Sequence, residues 1–452
     1  MEVQKMCAQN QRFQKENQLR RQACKRFWEY IRKGQENDMG NFYGVDEKTV
    51  RQYARLIART GLNVQPGQIV VMNCPAEHYE FGRLVIEEAY AAGAKEVIVR
   101  WNDSVERRLF YQHASEDTLA NVPHWVEEFS DYCAETKAGS ISIGGSDPEA
   151  FKGVDPHRMH VYQAAMDKAT QKRNKLLTAS EIPWTVAAVP QKQWAKKVFP
   201  ELSEDEAMAM LWQRILKAVR IGDGDAVEAW NEHDRFLKEK CRMLNEAAFD
   251  SLRYQNSIGT DFTVGLVRGH IWEGGSETAG TGTVFEANMP TEEIFTMPDR
   301  MRAEGTLVSA LPLSYRGNLI RNFRITFHEG QVVDYQAEEG YETLKSIIEG
   351  DEGSKRLGEV ALVPYSSPIS QMKTLFYNTL FDENASCHFA LGECYPTTIQ
   401  GGAQMSEEEL LKAGGNSSMN HVDFMVGTAD LTVTGIRADG SETVLFKNGN
   451  WA

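Results

Sequence analysis

Five segments in the second half of the chain place a metal-type ligand in an apolar or tightly turned setting. A-N-M-P-T-E-E-I-F carries Glu292 and Glu293 just after a proline turn. R-L-G-E-V-A-L-V-P is a strand pattern whose charge past its start is Glu359, with Ala361 and Val363 on the same face. F-D-E-N-A-S-C-H-F-A-L-G reads as a short helix capped by Asp382 and closed by Gly392, with His388 among small and apolar neighbours. Tyr395 follows that segment. In N-H-V-D-F-M-V-G, polar and apolar residues alternate, so His421 and Asp423 share one strand face while Val422 and Phe424 share the other.

Each segment has an ordinary explanation. A lone histidine in apolar sequence is most often a hydrogen-bonded core residue. Glu293 suits the first turn of a helix, and Tyr395 suits a core aromatic whose hydroxyl is satisfied. Glu359 is harder to explain this way, because burying an unpaired carboxylate costs on the order of several kcal/mol; Arg356 is its alternative partner. Taken together, two His, two Glu and one Asp form a nitrogen and oxygen donor set suited to zinc, cobalt, manganese or magnesium. One catalytic zinc needs three protein ligands, so the surplus of carboxylates points to a pair of ions about 3.5–4 Å apart with one carboxylate bridging them. H-E-x-x-H and G-x-S-x-G are both absent. Cys387 and His388, as neighbours on a helix, would point about 100° apart and form no thiol dyad.

These segments have to be positioned by the elements around them. From Thr49, V-R-Q-Y-A-R-L-I-A-R-T reads as a helix with Gly61 as its C-cap. A strand over 68–74, a helix F-G-R-L-V-I-E-E-A-Y-A-A and a strand over 96–101 make a βαβ unit, hence a parallel sheet. The turn after the first strand has no phosphate-binding glycines. T-V-A-A-V-P, 185–190, reads as a further buried strand, and charged helical sequence runs from the N-cap Ser203 to Arg253. Short alternating strands follow, with hairpins around H-E-G, 328–330, and R-A-D-G-S-E, 437–442, and one helix, E-T-L-K-S-I-I, between them. The expected architecture is α/β plus α+β: a helical arm over 1–48, an α/β domain with a partly parallel sheet over 49–255, and a mainly antiparallel α+β catalytic domain over 256–452.

Composition narrows the partners. Lys and Arg number 49 against 64 Asp and Glu, a net charge of -15, which disfavours nucleic acid or an anionic membrane as partner. Seven scattered cysteines without a CxxC pair, no signal peptide and no long apolar run suit reduced thiols in a cytoplasm.

The runs M-P-T-E-E-I-F-T-M-P-D, L-P-L-S-Y, E-G-S-K-R-L-G-E-V-A-L-V-P, F-Y-N-T-L-F-D-E-N-A-S-C-H-F-A-L-G, N-H-V-D-F-M-V-G and N-G-N-W are similar to those of the thermophilic, aminopeptidase T-type metallo-aminopeptidases. The likeness is dense over 259–452 and thinner back to Thr49. It implies two divalent metal ions per chain in the C-terminal domain and removal of N-terminal residues from peptides with a free N-terminus. It implies metal ligands at Glu293, Glu359, His388, Tyr395, His421 and Asp423. Glu359 would bridge the ions, and Tyr395 would be a weak ligand or a donor to the oxyanion. It also implies a homodimer in which the α/β domain covers the catalytic one. Two rival classes are a dinuclear hydrolase acting on phosphoesters or other amides, for which Lys355 and Arg356 would be the basic residues, and an assembly protein with structural metals.

Overall fold

The computed structural model describes residues 42–452 apart from Asp223 and Arg316. The expected N-terminal arm falls largely outside the described residues. The strand Ile69–Pro75 is buried along almost its whole length, the pattern of a strand covered on both faces. It lies between Glu96–Asn102 and Gly139–Gly144, and the parallel sheet continues through Trp184–Ala188 to the short strand Asn288–Met289. That last strand comes from the second half of the chain, which therefore returns to complete the first sheet.

The helix Glu47–Leu56 begins at Asp46, whose side chain accepts from the Thr49 amide. Gly61 does not cap it. The chain passes into a π-helical turn, Ile57–Gly61, in which the Leu62 amide bonds back to the Ile57 carbonyl at 2.8 Å. A glycine is needed there for close approach: a Cβ would lie 2.8 Å from both Met289 Sδ and Thr185 Oγ1. Ser203 and Glu206 form a capping box for the helix Glu204–Ala218. A second helix ends at Ala247 and Ser251–Gln255 is a strand, so the helical reading through Arg253 ran too far. Non-local pairing of Arg253 with Thr263 and Thr434 decides that stretch.

Among the described residues the strands that follow build two large antiparallel sheets and a small two-stranded one, Glu277–Thr278 with Val284–Phe285. A nine-stranded sheet includes Ser251–Gln255, Asp261–Leu266, Pro298–Val308, the hairpin Asn318–His328 with Gln331–Glu339, and the hairpin Thr432–Ile436 with Glu442–Lys447. A four-stranded sheet runs in the order Ile294–Thr296, Leu357–Leu362, His388–Gly392, His421–Met425. One face of the smaller sheet packs into the core: Val360, Leu362, Phe389, Leu391, Val422 and Phe424 share a cluster with Tyr254 and Phe262 of the larger sheet. Rings of Phe389 and Phe262 meet edge to face at 5.3 Å. The other face is turned toward the parallel sheet.

His388 is therefore not on a helix. The short helix is Thr379–Asp382, capped by Asn378, and a 3-10 turn over Glu383–Ala385 leads into the strand. Asp382 instead accepts from the amides of Phe376 and Asn378 at 2.7 and 3.0 Å. A short apolar run such as H-F-A-L is locally ambiguous between helix and strand. Here two flanking strands supply the ladder that settles it. Among the described residues, no helix is long and apolar enough to cross a membrane.

Candidate metal centre

The four-stranded sheet explains why its polar face is hollow. Register places Glu359 opposite Ala390 and Ala390 opposite Asp423; Ala361 faces His388, and Gly392 faces His421. The central strand thus presents His388, Ala390 and Gly392 on one face, one ligand-type side chain followed by two positions of almost no bulk. Glu359, Asp423 and His421 converge over that gap from the strands on either side. Glu293 enters from the end of the edge strand, immediately before Ile294.

Two donor triads result, Glu293–Glu359–His388 and Glu359–His421–Asp423, each with ligand atoms within 4.8 Å of one another. His388 Nε2 lies 3.1 Å from Glu293 Oε2 and 3.5 Å from Glu359 Oε1. His421 Nε2 lies 3.3 Å from Glu359 Oε2 and 3.3 Å from Asp423 Oδ1. Glu359 belongs to both triads and offers a different oxygen to each. Arg356 is not its partner: that guanidinium donates to the Arg300 carbonyl at 2.9 Å.

Backbone carbonyls orient both imidazoles. His388 Nδ1 is 3.0 Å from the Ser386 carbonyl and His421 Nδ1 is 2.8 Å from that of Glu393, which places a proton on Nδ1 and aims the Nε2 lone pair at the carboxylates. Lone pairs facing carboxylate oxygens at 3.1–3.5 Å repel unless a cation lies between them. Burial opposes charge on His388, yet Glu293 and Glu359 hold its pKa well above the ordinary imidazole value. His421 is likewise raised against burial by Asp423 and Glu359. Burial pushes Glu293 up, while Glu359, buried but bonded to both imidazoles, is held well below its usual range. Two buried carboxylates and the half-buried Asp423 around two oriented imidazoles demand positive charge, and this donor set fits divalent metal ions.

The Glu293 segment is held from three sides. Glu292 is buried rather than a solvated helix-start acid: Arg220 Nη2 donates to its Oε2 at 2.8 Å and Nη1 stands 2.7 Å from Oε1. The Glu292 amide donates to Asn384 Oδ1 at 2.7 Å. Gly274 passes so close that a Cβ would lie 2.6 Å from the Glu293 carbonyl oxygen. Glu293 precedes a strand and no helix, so it is not a first-turn acid. Cys387 is a buried thiol bonded to Val363 and points away from the face that carries His388.

A cavity of about 510 Å³ opens over the triads, walled on its far side by Ser140, Ser142, Trp184 and Thr185 of the parallel sheet. Tyr395 lines it, 40% exposed, its ring 5.0 Å from that of His421 and 5.6 Å from Phe295. Burial, followed by the surrounding carboxylates, raises its phenol well above the ordinary value, leaving it a neutral donor. Three acids on the cavity wall were not singled out in the sequence: Glu273, Glu277 and Glu383. Burial, then Glu293 and Asp423, pushes Glu383 well above the carboxylate range. It sits on the 3-10 turn before His388, and only the fold shows that this turn faces the cavity. Lys355 pairs with Glu352, and neither it nor Arg356 lines the cavity. Among the described residues the cavity wall carries no lysine or arginine.

The family described as thermophilic metalloprotease (M29) matches residues 46–451. Aminopeptidase AmpS of Bacillus subtilis is 46% identical over 400 residues, covering 88% of this chain and 97% of its own. Aminopeptidase T of Thermus aquaticus is 39% identical over 404 residues, 89% and 98% of the two chains. The solved structure of wild-type AmpT from Thermus thermophilus superposes with a TM-score of 0.84 at 37% identity, covering 90% of this chain and 99% of that one. A match of this extent, over a site with this donor set, places the chain in the thermophilic metalloprotease (M29) family, as a metallo-aminopeptidase and hence a hydrolase.

Proposed function

We propose that the chain is a dinuclear aminopeptidase that removes the N-terminal residue from peptides with a free N-terminus. The observation that carries this reading is the shared carboxylate: Glu359 gives one oxygen to the His388 side and the other to the His421 side. In this reading Glu293, Glu359 and His388 hold one divalent ion, and Glu359, His421 and Asp423 hold the other. Two such ions supply Lewis acidity and a water ionised near neutral pH. The residues do the rest. Glu383, on the cavity wall beside the His388 strand and in neither triad, suits the carrier that passes a proton to the leaving amine. Tyr395, neutral and on the same wall, donates to the oxyanion that forms on the scissile carbonyl. The walls of the cavity hold the peptide out of bulk water and orient its first bond.

Absence of basic residues from the described cavity wall weighs against phosphoester substrates. The homodimer, which rests on the family likeness, and the division at residue 255, which rests on the change there from helical to short-strand sequence, belong to the same proposal. A cytoplasmic setting is supported by the five described cysteines, all buried and unpaired. The test is release of free amino acid from an unblocked peptide beside its N-acetylated twin, with metal added or chelated. Cleavage of the unblocked peptide alone, abolished by chelator, is expected. Equal cleavage of both, or indifference to chelator, would overturn the reading.

A further inference from the structure

The catalytic cavity does not end at the metal centre. Asn174, Thr178 and Thr397 line both it and a second hollow of about 720 Å³. That hollow is a groove between the helix Pro156–Thr178 and the turns around Pro396 and Ala403. Along the helix, Asp167, Gln171, Asn174 and Thr178 recur at the three- and four-residue spacing of one face, so the groove follows the helix outward from the cavity.

Charge along this path is uneven. Glu273 and Glu277 line the inner cavity, whereas Lys168 and Lys175 line the groove. The helix carries a further lysine, Lys172, which faces away and pairs with Glu135 at 3.0 Å and Asp131 at 3.8 Å. Among the described residues, Lys168 and Lys175 have no carboxylate within ion-pair distance. Asp167, the acid in the groove, accepts from Gln163 at 2.8 Å. Two lysines without partners on a protein of net charge -15 mark a local site for an anionic group.

Dimensions say which anion. At 1.5 Å per residue, Lys175 lies about 4.5 Å and Lys168 about 15 Å along the helix from Thr178 at the cavity edge. An extended peptide advances about 3.3 Å per residue, so these positions fall roughly one and four to five residues beyond the cavity. We infer that this groove receives the leaving part of the substrate and that Lys168 and Lys175 bind its free C-terminal carboxylate. The enzyme then favours short peptides, about three to six residues long. The ammonium end enters the acidic cavity while the carboxylate end rests on the lysines, so the substrate's own charges set its direction.

This inference rests on the aminopeptidase reading, and its test separates the two. Peptides with the first bond reduced to an uncleavable amine are prepared from dipeptide to decapeptide, as free acids and as C-terminal amides, and Kd is measured on the metal-loaded protein. At tri- to hexapeptide length the acid is expected to bind about three- to tenfold tighter than the amide. The difference should vanish in the decapeptide, at high salt, and in the Lys168→Gln/Lys175→Gln double variant. Equal Kd for acid and amide throughout, or a preference that survives in the double variant, overturns the inference. An aminoacyl anilide, which has no carboxylate, reports separately on catalysis. It should be cleaved alike by the wild type and the double variant, and its resistance to both would count against the aminopeptidase reading instead.

Discussion

His421 Nε2 and Glu359 Oε2 stand 3.3 Å apart, on strands separated by the one that carries His388. Ala390 on that intervening strand, opposite Glu359 on one side and Asp423 on the other, leaves room for the approach, while Gly392 is required for another reason: a Cβ there would run into the Asn420 carbonyl. The shared carboxylate thus depends on a small residue, Ala390, that binds nothing itself.

Removing that carboxylate should disassemble both triads at once. Glu359→Ala is expected to lower the metal content below two ions per chain and kcat/KM by at least about a hundredfold. Elemental analysis of the purified variant reads this directly. Two ions retained would show that Glu359 does not bridge.

Glu383 belongs to neither triad, so its loss should separate chemistry from metal binding. In Glu383→Gln, kcat should fall about 10²- to 10⁴-fold with metal content unchanged. The limb of the kcat–pH profile that reports the proton carrier should disappear with it. An unaltered kcat would remove Glu383 from the mechanism.

Arg220 neutralises the buried Glu292 beside the Glu293 donor. Arg220→Ala leaves that carboxylate without its cation in the core and should destabilise the fold by about 3–5 kcal/mol in urea unfolding. Adding Glu292→Gln should recover part of the loss. A single variant as stable as the wild type would show that the pair is not needed.

Glu286 offers a pH test away from the metal centre. Burial, then Asp234, raises its carboxyl from 4.5 to about 8. Between those values the folded protein keeps a proton that the unfolded chain has released, so stability falls as pH rises through the window. Below 4.5 both states are protonated and the contribution is complete; above about 8 the folded state ionises and the loss levels off. Glu286→Gln, neutral throughout, should gain on the wild type by up to about 1.4 kcal/mol per pH unit across the window. Parallel curves for the two proteins would mean that Glu286 is ionised in the fold.

Local pattern carried much of this structure. The buried run I-V-V-M, the Ser203 box and both hairpins are determined by neighbours along the chain, through burial period and turn chemistry. His421 and Asp423 at a spacing of two also declare their common face, because a strand alternates strictly. Tertiary structure alone decided the rest. His388 is a strand residue because Ala361 and Met425 pair with it from distant segments. Gly61 is a glycine because Met289 and Thr185 press on it, and not because a helix ends there. Glu383 and the two groove lysines gained their settings only when a 3-10 turn and a surface helix were brought against the cavity. The sequence determines which residue types are present and which face they share within one element. The distance between elements is set by packing across the whole core, which no local spacing encodes.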